Sequence, residues 1–408
     1  MDKLLDRFLR YVKIETTAVE DTTDYPSSPG QFDLGETLAE EMRAIGLKDV
    51  GVEKHGMVIG TIPGNVKAPT IAWLAHMDTS PEASGKNVKP VIHRKYNGKD
   101  IVLSGDKSKV IRVAETEELA DLKGKTLITS DGTTLLGADD KAGIAVIMTA
   151  TTHLMANRRI KHGPIRIVFT CDEEVGRGTD KVDTKQINAK VAYTLDGSGG
   201  GELENETFSA DMATVTVTGC NIHPGLATGK MCNAVRLAGQ FLERLPWHTM
   251  APETTCGRNG FLHPYIIEGG VPEVNIRILL RSFHTPDLKN QARILRNIAS
   301  TIEAEHPKAK VTVKVKKQYR NMVEGLNKEP RAVKLAAEAF KKAGVEPEYA
   351  IIRGGTDGSR LTEMGLPTPN LSTGMHNFHS ELEFAVLEEM ESAATMLIEL
   401  AKLWGKQK

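Results

Sequence analysis

The sequence predicts an α/β fold whose main sheet is mostly parallel and covered by helices on both faces, with a smaller domain inserted into it. Three nearly continuous apolar segments, residues 70–75, 165–170 and 191–195, alternate with helical patterns. Strands buried on both faces of a parallel sheet have this character. The chain has 408 residues, which is long enough for two domains.

The inserted segment spans residues 209–322 and changes to alternating strands and amphipathic helices. Its order, βαββαβ, is that of a ferredoxin-like sandwich, with one sheet face covered by helices and the other free. The predicted elements are strand 213–218, helix 233–245, strands 261–267 and 273–283, helix 286–304 and strand 311–317.

The α/β pattern resumes after about residue 325 and ends in a helix over 387–404. Residues 1–208 and 323–408 therefore form the main domain around the insertion at 209–322. The glycine-rich run 197–201 shortly precedes the insertion. A phosphate-binding loop is one interpretation, but no helix opens directly after the run, as that motif requires. A hinge between the domains is the better interpretation.

Composition excludes several classes of protein. Hydrophobic residues make up 40% and charged residues 26% of the chain, as in ordinary globular proteins. A net charge of −1 provides no field that would attract nucleic acid or an anionic membrane. The first residues alternate charged and apolar side chains at helical spacing, which predicts an amphipathic helix rather than a signal peptide. The most apolar stretch, 142–156, is too short to span a bilayer.

The four cysteines are Cys171, Cys220, Cys232 and Cys256, and none forms a CxxC pair. A chain of this length does not need disulfides for stability, so we expect reduced, mostly buried thiols and a cytoplasmic location.

Each of the three apolar segments ends in side chains that can bind metal or move protons. His76 and Asp78 follow the first segment, Glu173 and Glu174 follow the second, and Asp196 follows the third. In open α/β sheets, ligands bind beyond the carboxyl ends of the strands. We therefore expect these groups to share one site.

The spacing of these residues points to metal-assisted hydrolysis. His76 and Asp78 lie two residues apart, on one face of a strand end, which suits a metal-binding imidazole oriented by a carboxylate. The side chains of Glu173 and Glu174 diverge, so that one can bind a metal while the other faces a water molecule. Metal-assisted hydrolysis needs a Lewis acid and a general base in this arrangement.

Further ligands come from two other segments. Asp139, in the sequence GADDKAG at 137–143, offers a carboxylate beside a helix N-terminus, although an ordinary N-cap is the alternative. His379 supplies a second imidazole. Imidazole and carboxylate ligands without thiolate are typical of catalytic zinc, and cobalt or manganese could substitute. The other histidines apart from His223 are interpreted as surface or hydrogen-bonded residues, among them His153, His263 and His376.

Together these motifs resemble the di-zinc exopeptidase family that also contains glutamate carboxypeptidase and succinyl-diaminopimelate desuccinylase, and within it the tripeptide aminopeptidases. The resemblance covers the whole chain. It rests on HMDTSP at 76–81, TLLGADDKAG at 134–143, CDEEVGRG at 171–178, LDG at 195–197, NIHPG at 221–225, IRGGTDG at 352–358 and NFHSELEF at 377–384.

The resemblance implies two divalent metal ions per chain, expected to be Zn²⁺, and release of the N-terminal residue from tripeptides. Asp139 would bridge both ions, with His76 and Asp196 completing one site and Glu174 and His379 the other.

The resemblance also assigns the groups around the metals. Glu173 would be the general base, Asp78 would orient His76, and the peptide bond between Asp139 and Asp140 would be cis.

The inserted domain would be a lid and dimerisation domain. Its His223 would reach the active site of a neighbouring subunit and stabilise the oxyanion, although a plain turn is the alternative. Arg281 and Arg353 would hold the carboxylate of the substrate, with ordinary salt bridges as the alternative. Cys171, where a proline is common, and residues 282–284, which replace a more acidic run, depart from the family pattern.

Two other functions stay open. A dipeptidase or N-acyl amino acid amidohydrolase of the same family would use the same metal ligands. A non-catalytic binding relative would be expected to lose a ligand or the base, whereas all six positions are intact. The expected partners are a small peptide and a second copy of the chain, without nucleic acid or membrane.

Overall fold

The computed structural model describes residues 2–408. The helices are α1 (Asp2–Tyr11), α2 (Gly30–Ile45), α3 (Ala138–Ala156), α4 (Thr184–Ile187), α5 (Ala234–Glu243), α6 (Asp287–Glu305), α7 (Val323–Leu326), α8 (Arg331–Lys342), α9 (Asp357–Glu363) and α10 (Leu387–Trp404). Short 3₁₀ turns span Glu117–Ala120, Pro224–Leu226 and Pro252–Thr254.

The strands are β1 (Lys48–Val52), β2 (Val58–Ile62), β3 (Ile71–His76), β4 (Val91–His93), β5 (Ile101–Val102), β6 (Val110–Ile111), β7 (Leu127–Thr129), β8 (Ile165–Thr170), β9 (Val191–Ser198), β10 (Glu202–Thr207), β11 (Ser209–Thr218), β12 (Phe261–Gly269), β13 (Glu273–Ser282), β14 (Lys310–Tyr319), β15 (Glu348–Ile352), β16 (Asn370–His376) and β17 (Phe384–Val386).

The chain divides into two compact units. The first contains the residues up to Asn205 together with Glu324–Ala350 and Thr356–Lys408, and the second contains Glu206–Val323 and Ile351–Gly355. The predicted insertion at 209–322 lies within the second unit. Its role as a lid stays a prediction.

Within residues 2–408, the first unit contains an eleven-stranded sheet with the order β1-β2-β8-β3-β9-β16-β17-β7-β4; in addition, β10 pairs with β16, and β15 pairs with β10. The four central strands β8, β3, β9 and β16 run parallel to one another. Antiparallel strands flank them on both sides. The predicted α/β fold with a mostly parallel central sheet is confirmed.

Strand β3 shows why the parallel strands are apolar without interruption. All six of its residues are buried. Ile71, Trp73 and Ala75 belong to a core shared with α1, α2, α3, α8 and α10. Ala72 and Leu74 face a second core that includes Leu361 of α9. Helices therefore cover both faces of the sheet, and each face of the strand must be apolar.

Helix α3 carries Asp139 and Asp140 at its start. Both have backbone angles outside the helical region, and the peptide bond between them is cis, as the resemblance implies. Gly137, the residue directly before the helix, has φ of 78° and provides no side-chain cap. Beyond these residues the helix is buried along most of its length, in keeping with its apolar sequence.

The second unit contains, within the described residues, a four-stranded antiparallel sheet with the order β12-β13-β11-β14. Helices α5 and α6 lie on one face, where Leu237 and Leu295 pack with strand residues such as Val215 and Ile276. The element order is βαββαβ, as the sequence predicts. Ile267 on β12 is 53% exposed, which shows that part of this unit's apolar surface is uncovered.

Three smaller features of the chain bear on the sequence predictions. None of the helices within residues 2–408 combines the length and the apolar content that a membrane span requires. The cysteines in this range are free, but only Cys171 and Cys232 are buried while Cys220 and Cys256 are exposed, so the expectation of mostly buried thiols is half right. The run 197–201 ends β9 and turns into β10 inside the first unit, whose boundary follows Asn205, so the predicted hinge at this run is wrong by a few residues.

Candidate metal centre

Two groups of side chains that could hold metal ions are found among the described residues, and they share Asp139. One group consists of His76, Asp139 and Asp196, and the other of Asp139, Glu174 and His379. In each group, one ligand atom from each residue lies within 4.8 Å of the others. The structure therefore brings together all five residues that the sequence analysis assigned to metal.

The first group depends on the pairing of parallel strands. His76 is the last residue of β3, and Asp196 lies on the neighbouring β9. The Nε2 atom of His76 is 2.9 Å from Oδ1 of Asp139 and 3.4 Å from Oδ1 of Asp196. The side chain of His76 is only 3% exposed.

The second group uses the other oxygen of Asp139. Nε2 of His379 is 3.4 Å from Oδ2 of Asp139 and 2.8 Å from Oε2 of Glu174. The remaining oxygen of Glu174, Oε1, is buried without a hydrogen-bond partner among the described residues. A buried carboxylate oxygen without a partner is costly. A divalent cation would compensate it, and the imidazole and carboxylate donors of both groups suit such a cation.

The pKa values report the crowding of negative charge. Burial and the nearby charge of Asp139 raise the pKa of Glu174 to about 8 and that of Asp196 to about 6. Hydrogen bonds to Asp139 and Glu174 raise the pKa of His379 to about 11. Burial alone would raise the pKa of Asp139, but its contacts with His379 and His76 outweigh burial and lower it. Shifts of this size are typical of functional sites.

Asp78 holds three residues of the site. Its Oδ1 lies 3.5 Å from Nδ1 of His76, and its backbone oxygen lies 3.0 Å from the same nitrogen. Its carboxylate also accepts the N–H groups of Glu173, at 3.1 Å, and Glu174, at 3.0 Å. The structure thus adds a second function to the predicted one, because Asp78 also fixes the backbone of the glutamate pair.

Further buried polar groups surround the ligands, and of these Asp357 and Asn370 were not predicted to take part in the site. Asp140 accepts the N–H of His76 at 3.2 Å, and Asn370 accepts the N–H of Asp196 at 3.1 Å through its Oδ1. The pKa of Glu173 is raised well above its usual value. Burial is the largest cause, and the negative charge of Asp357 is the second. Asp140 and Asp357 stand inside motifs already noted, whereas no pattern in the sequence distinguishes Asn370.

Glu383 is a further missed residue. It is 1% exposed, and its carboxylate accepts the N–H groups of Leu136, Gly137 and Asp139 at 2.7, 2.7 and 2.9 Å. Burial raises its pKa to about 7 against the opposing effect of these bonds. It stands in NFHSELEF, from which the sequence analysis used only His379.

The remaining predicted residues lie in the second unit. His223 is exposed, and its Nδ1 accepts the N–H of Gly225 at 3.1 Å at the start of a 3₁₀ turn. Its predicted reach into a neighbouring subunit stays a prediction.

The two predicted substrate-binding arginines differ in their surroundings. Arg281 is buried, and its Nη1 donates to the backbone oxygens of Asp211 and Leu280 at 3.2 and 3.0 Å. Arg353 donates from both terminal nitrogens to the loop 255–259, including bonds of 2.7 and 2.9 Å to two backbone oxygens. Its guanidinium also stacks against the rings of Phe208 and Phe261. These contacts give Arg353 a structural role within its own unit.

Comparisons with known proteins agree with this architecture. The family model for Peptidase family M20/M25/M40 matches residues 129–403. A Clostridium botulinum protein (strain Hall) named Peptidase T is 44% identical over 409 residues, which is 100% of both chains. A Bacillus licheniformis protein of the same name is 45% identical over 408 residues, covering 100% of this chain and 99% of that protein.

Solved structures share the fold. An aminopeptidase PepT from Bacillus cereus superposes with a TM-score of 0.76 at 23% identity, covering 99% of each chain. A tripeptidase from Staphylococcus aureus superposes with a TM-score of 0.78 at 23% identity, covering 100% of this chain and 99% of that one.

The fold and the two ligand groups define a hydrolase with a candidate dinuclear metal site. The chain belongs to peptidase family M20/M25/M40.

The shared position of Asp139 predicts different losses of metal in two variants. Asp139→Ala should lower metal content at both sites, because each group loses a ligand, whereas His379→Ala should mainly empty one. Elemental analysis of purified variants measures this. Two metals per chain retained by Asp139→Ala would refute the shared role.

Proposed function

We propose that this protein is a metal-dependent aminopeptidase that releases the N-terminal residue from tripeptides. The observation that carries the proposal is the single site in which four candidate metal ligands surround a fifth, Asp139, with Glu173 next to Glu174 in the sequence. Full-length relatives named Peptidase T at 44% and 45% identity support the activity, as does the structural likeness to a tripeptidase.

His76 and Asp196 would hold one metal ion, Glu174 and His379 the other, with Asp139 between them. A Bacillus subtilis relative, described as a dinuclear metal-binding peptidase from the M20 family, has the same fold with a TM-score of 0.67 at 15% identity, which supports a metal pair. We expect Zn²⁺ because the ligands are imidazoles and carboxylates. When bound, such ions polarise the scissile carbonyl and lower the pKa of water.

Glu173 has the properties of the general base. Its backbone N–H donates to the carboxylate of Asp78 at 3.1 Å. Burial and the charge of Asp357 raise the pKa of Glu173 well above its usual value, so its carboxylate is a stronger base than that of an ordinary glutamate. Its carboxylate would take the proton of the attacking water and return it to the nitrogen of the leaving dipeptide.

Selection for tripeptides requires a group that recognises the C-terminal carboxylate at a set distance from the cleaved bond. An arginine suits this task because its guanidinium binds carboxylates with two parallel hydrogen bonds. Both terminal nitrogens of Arg353 bond to the loop 255–259, whereas the hydrogen bonds found for Arg281 come from Nη1 alone. We therefore propose Arg281 as the first candidate and Arg353 as the second.

The role of the base is tested by two conservative variants. Glu173→Gln keeps the shape of the side chain but cannot accept the proton, so turnover should fall by about two to four orders of magnitude with the metals retained. Glu174→Gln serves as the matched control and should weaken metal binding. Kinetics and elemental analysis of both variants measure the effects, and the reverse pattern would exchange the two roles.

The substrate class is tested with a tripeptide, its C-terminal amide, its N-acetyl form and its tetrapeptide extension. The free tripeptide should have the highest kcat/KM, because the amide leaves the arginine without its partner at a cost of about 2–5 kcal/mol. Arg281→Ala should remove this preference for the free acid, whereas Arg353→Ala should do so only if the order of the two candidates is wrong.

Two results would contradict the substrate proposal. Equal kcat/KM for the acid and the amide would exclude a carboxylate clamp. Preference for the N-acetyl form would favour an N-acyl amino acid amidohydrolase, the second candidate function.

We also propose a cytoplasmic homodimer in which His223 of each chain completes the site of its partner. The exposure of His223 and the exposed apolar side chains Leu226 and Val235 support a contact surface in the second unit. The proposal is tested by co-expressing differently tagged Glu173→Gln and His223→Ala chains. Isolated mixed dimers should regain up to half of the wild-type activity, because one of their two sites is intact. Mixed dimers without activity would exclude donation between subunits.

A further inference from the structure

The carboxylate of Glu383 binds the backbone of the segment that leads into helix α3. The N–H groups of this segment have no partners within the helix, and Gly137 provides no side chain for them. Glu383 accepts the N–H groups of Leu136 and Gly137 with Oε2 and that of Asp139 with Oε1. One buried side chain thus fixes the segment that leads into Asp139.

Glu383 is itself fixed close to another candidate ligand. It follows His379 by four residues, and its N–H donates to the backbone oxygen of Ser380 at 3.2 Å. Strand β17 begins at the next residue and is paired on both sides, with β16 and β7. The short turn 379–383 therefore has His379 at one end and, at the other, Glu383, which accepts the N–H of Asp139.

The geometry of Asp139 explains why its backbone must be fixed. Its two oxygens face different groups, at 2.9 Å from Nε2 of His76 and 3.4 Å from Nε2 of His379. A small rotation of Asp139 would move one carboxylate oxygen closer to its histidine and the other oxygen farther from its own. Some side chains orient a metal ligand without binding the metal themselves. Their loss commonly lowers metal affinity by about 10–100-fold.

We propose that Glu383 is a positioning residue for the dinuclear site, which sets the placement of Asp139 relative to His379. Glu383 belongs to neither of the two candidate ligand groups. The proposal rests on the proposed function in one respect, namely that the two ligand groups bind metal ions.

The test uses Glu383→Gln in the full chain. Glutamine has the same shape, but its amide nitrogen is a donor and cannot accept the N–H groups that Glu383 binds with two oxygens. Zinc affinity, measured by competition with a chromogenic chelator, should fall by about 10–100-fold. The visible absorption spectrum of the Co²⁺-loaded protein should change, and kcat should fall more than KM rises.

Glu41→Gln is the matched control. Glu41 is a mostly buried carboxylate that bonds to Tyr11 at 2.7 Å and to Arg7, and it contacts none of the proposed metal ligands. Its loss should lower thermal stability but leave zinc affinity and the cobalt spectrum unchanged. Equal losses of zinc affinity in Glu383→Gln and Glu41→Gln would overturn the proposal, because general destabilisation of the protein would then explain both losses.

Wild-type zinc affinity and an unchanged cobalt spectrum in folded Glu383→Gln would also overturn it, while leaving the proposed function intact. Failure of the wild-type chain to bind metal would instead overturn the proposed function. If Glu383→Gln does not fold, Glu383→Asp provides the measurement, because it keeps the charge but is shorter by one methylene group. Reduced zinc affinity supports the proposal, and unchanged affinity refutes it.

Discussion

The central strands β3, β8 and β9 bring several carboxylates into one buried region, where negative charge is costly unless it is compensated. The structure compensates these groups in different ways. Asp78 and Glu383 accept backbone N–H groups, and Asp139 faces two imidazoles. Glu174 has one buried oxygen that finds no hydrogen-bond partner within residues 2–408. The protein thus satisfies the carboxylates that support the site and leaves uncompensated charge where cations would bind.

The sequence predicts the centre of the fold better than its edges. Strand β8 and helix α10 have the predicted bounds, because a strand buried on both faces and a helix beside it leave strong apolar patterns. The flanking strands β4, β7 and β17 have only three residues each, too few for a pattern to emerge. Their antiparallel direction depends on pairing with distant parts of the chain, which composition and periodicity do not encode.

In the candidate site, too, some residues are predictable from the sequence and others are not. Residues with a chemical signature at a strand end, such as His76 and Glu174, were found from the sequence. Asn370 was missed because it acts through the backbone N–H of Asp196, and a single amide side chain has no signature. The surroundings of Arg353 were also beyond the sequence, since its acceptors lie in a loop about a hundred residues away.

The two histidines of the site differ in their access to solvent. The side chain of His76 is 3% exposed, whereas that of His379 is 35% exposed. A ligand at the surface can be reached by water and competing ions, while one in the interior is screened from them. The outer position would therefore exchange its ion with the medium more readily than the inner one.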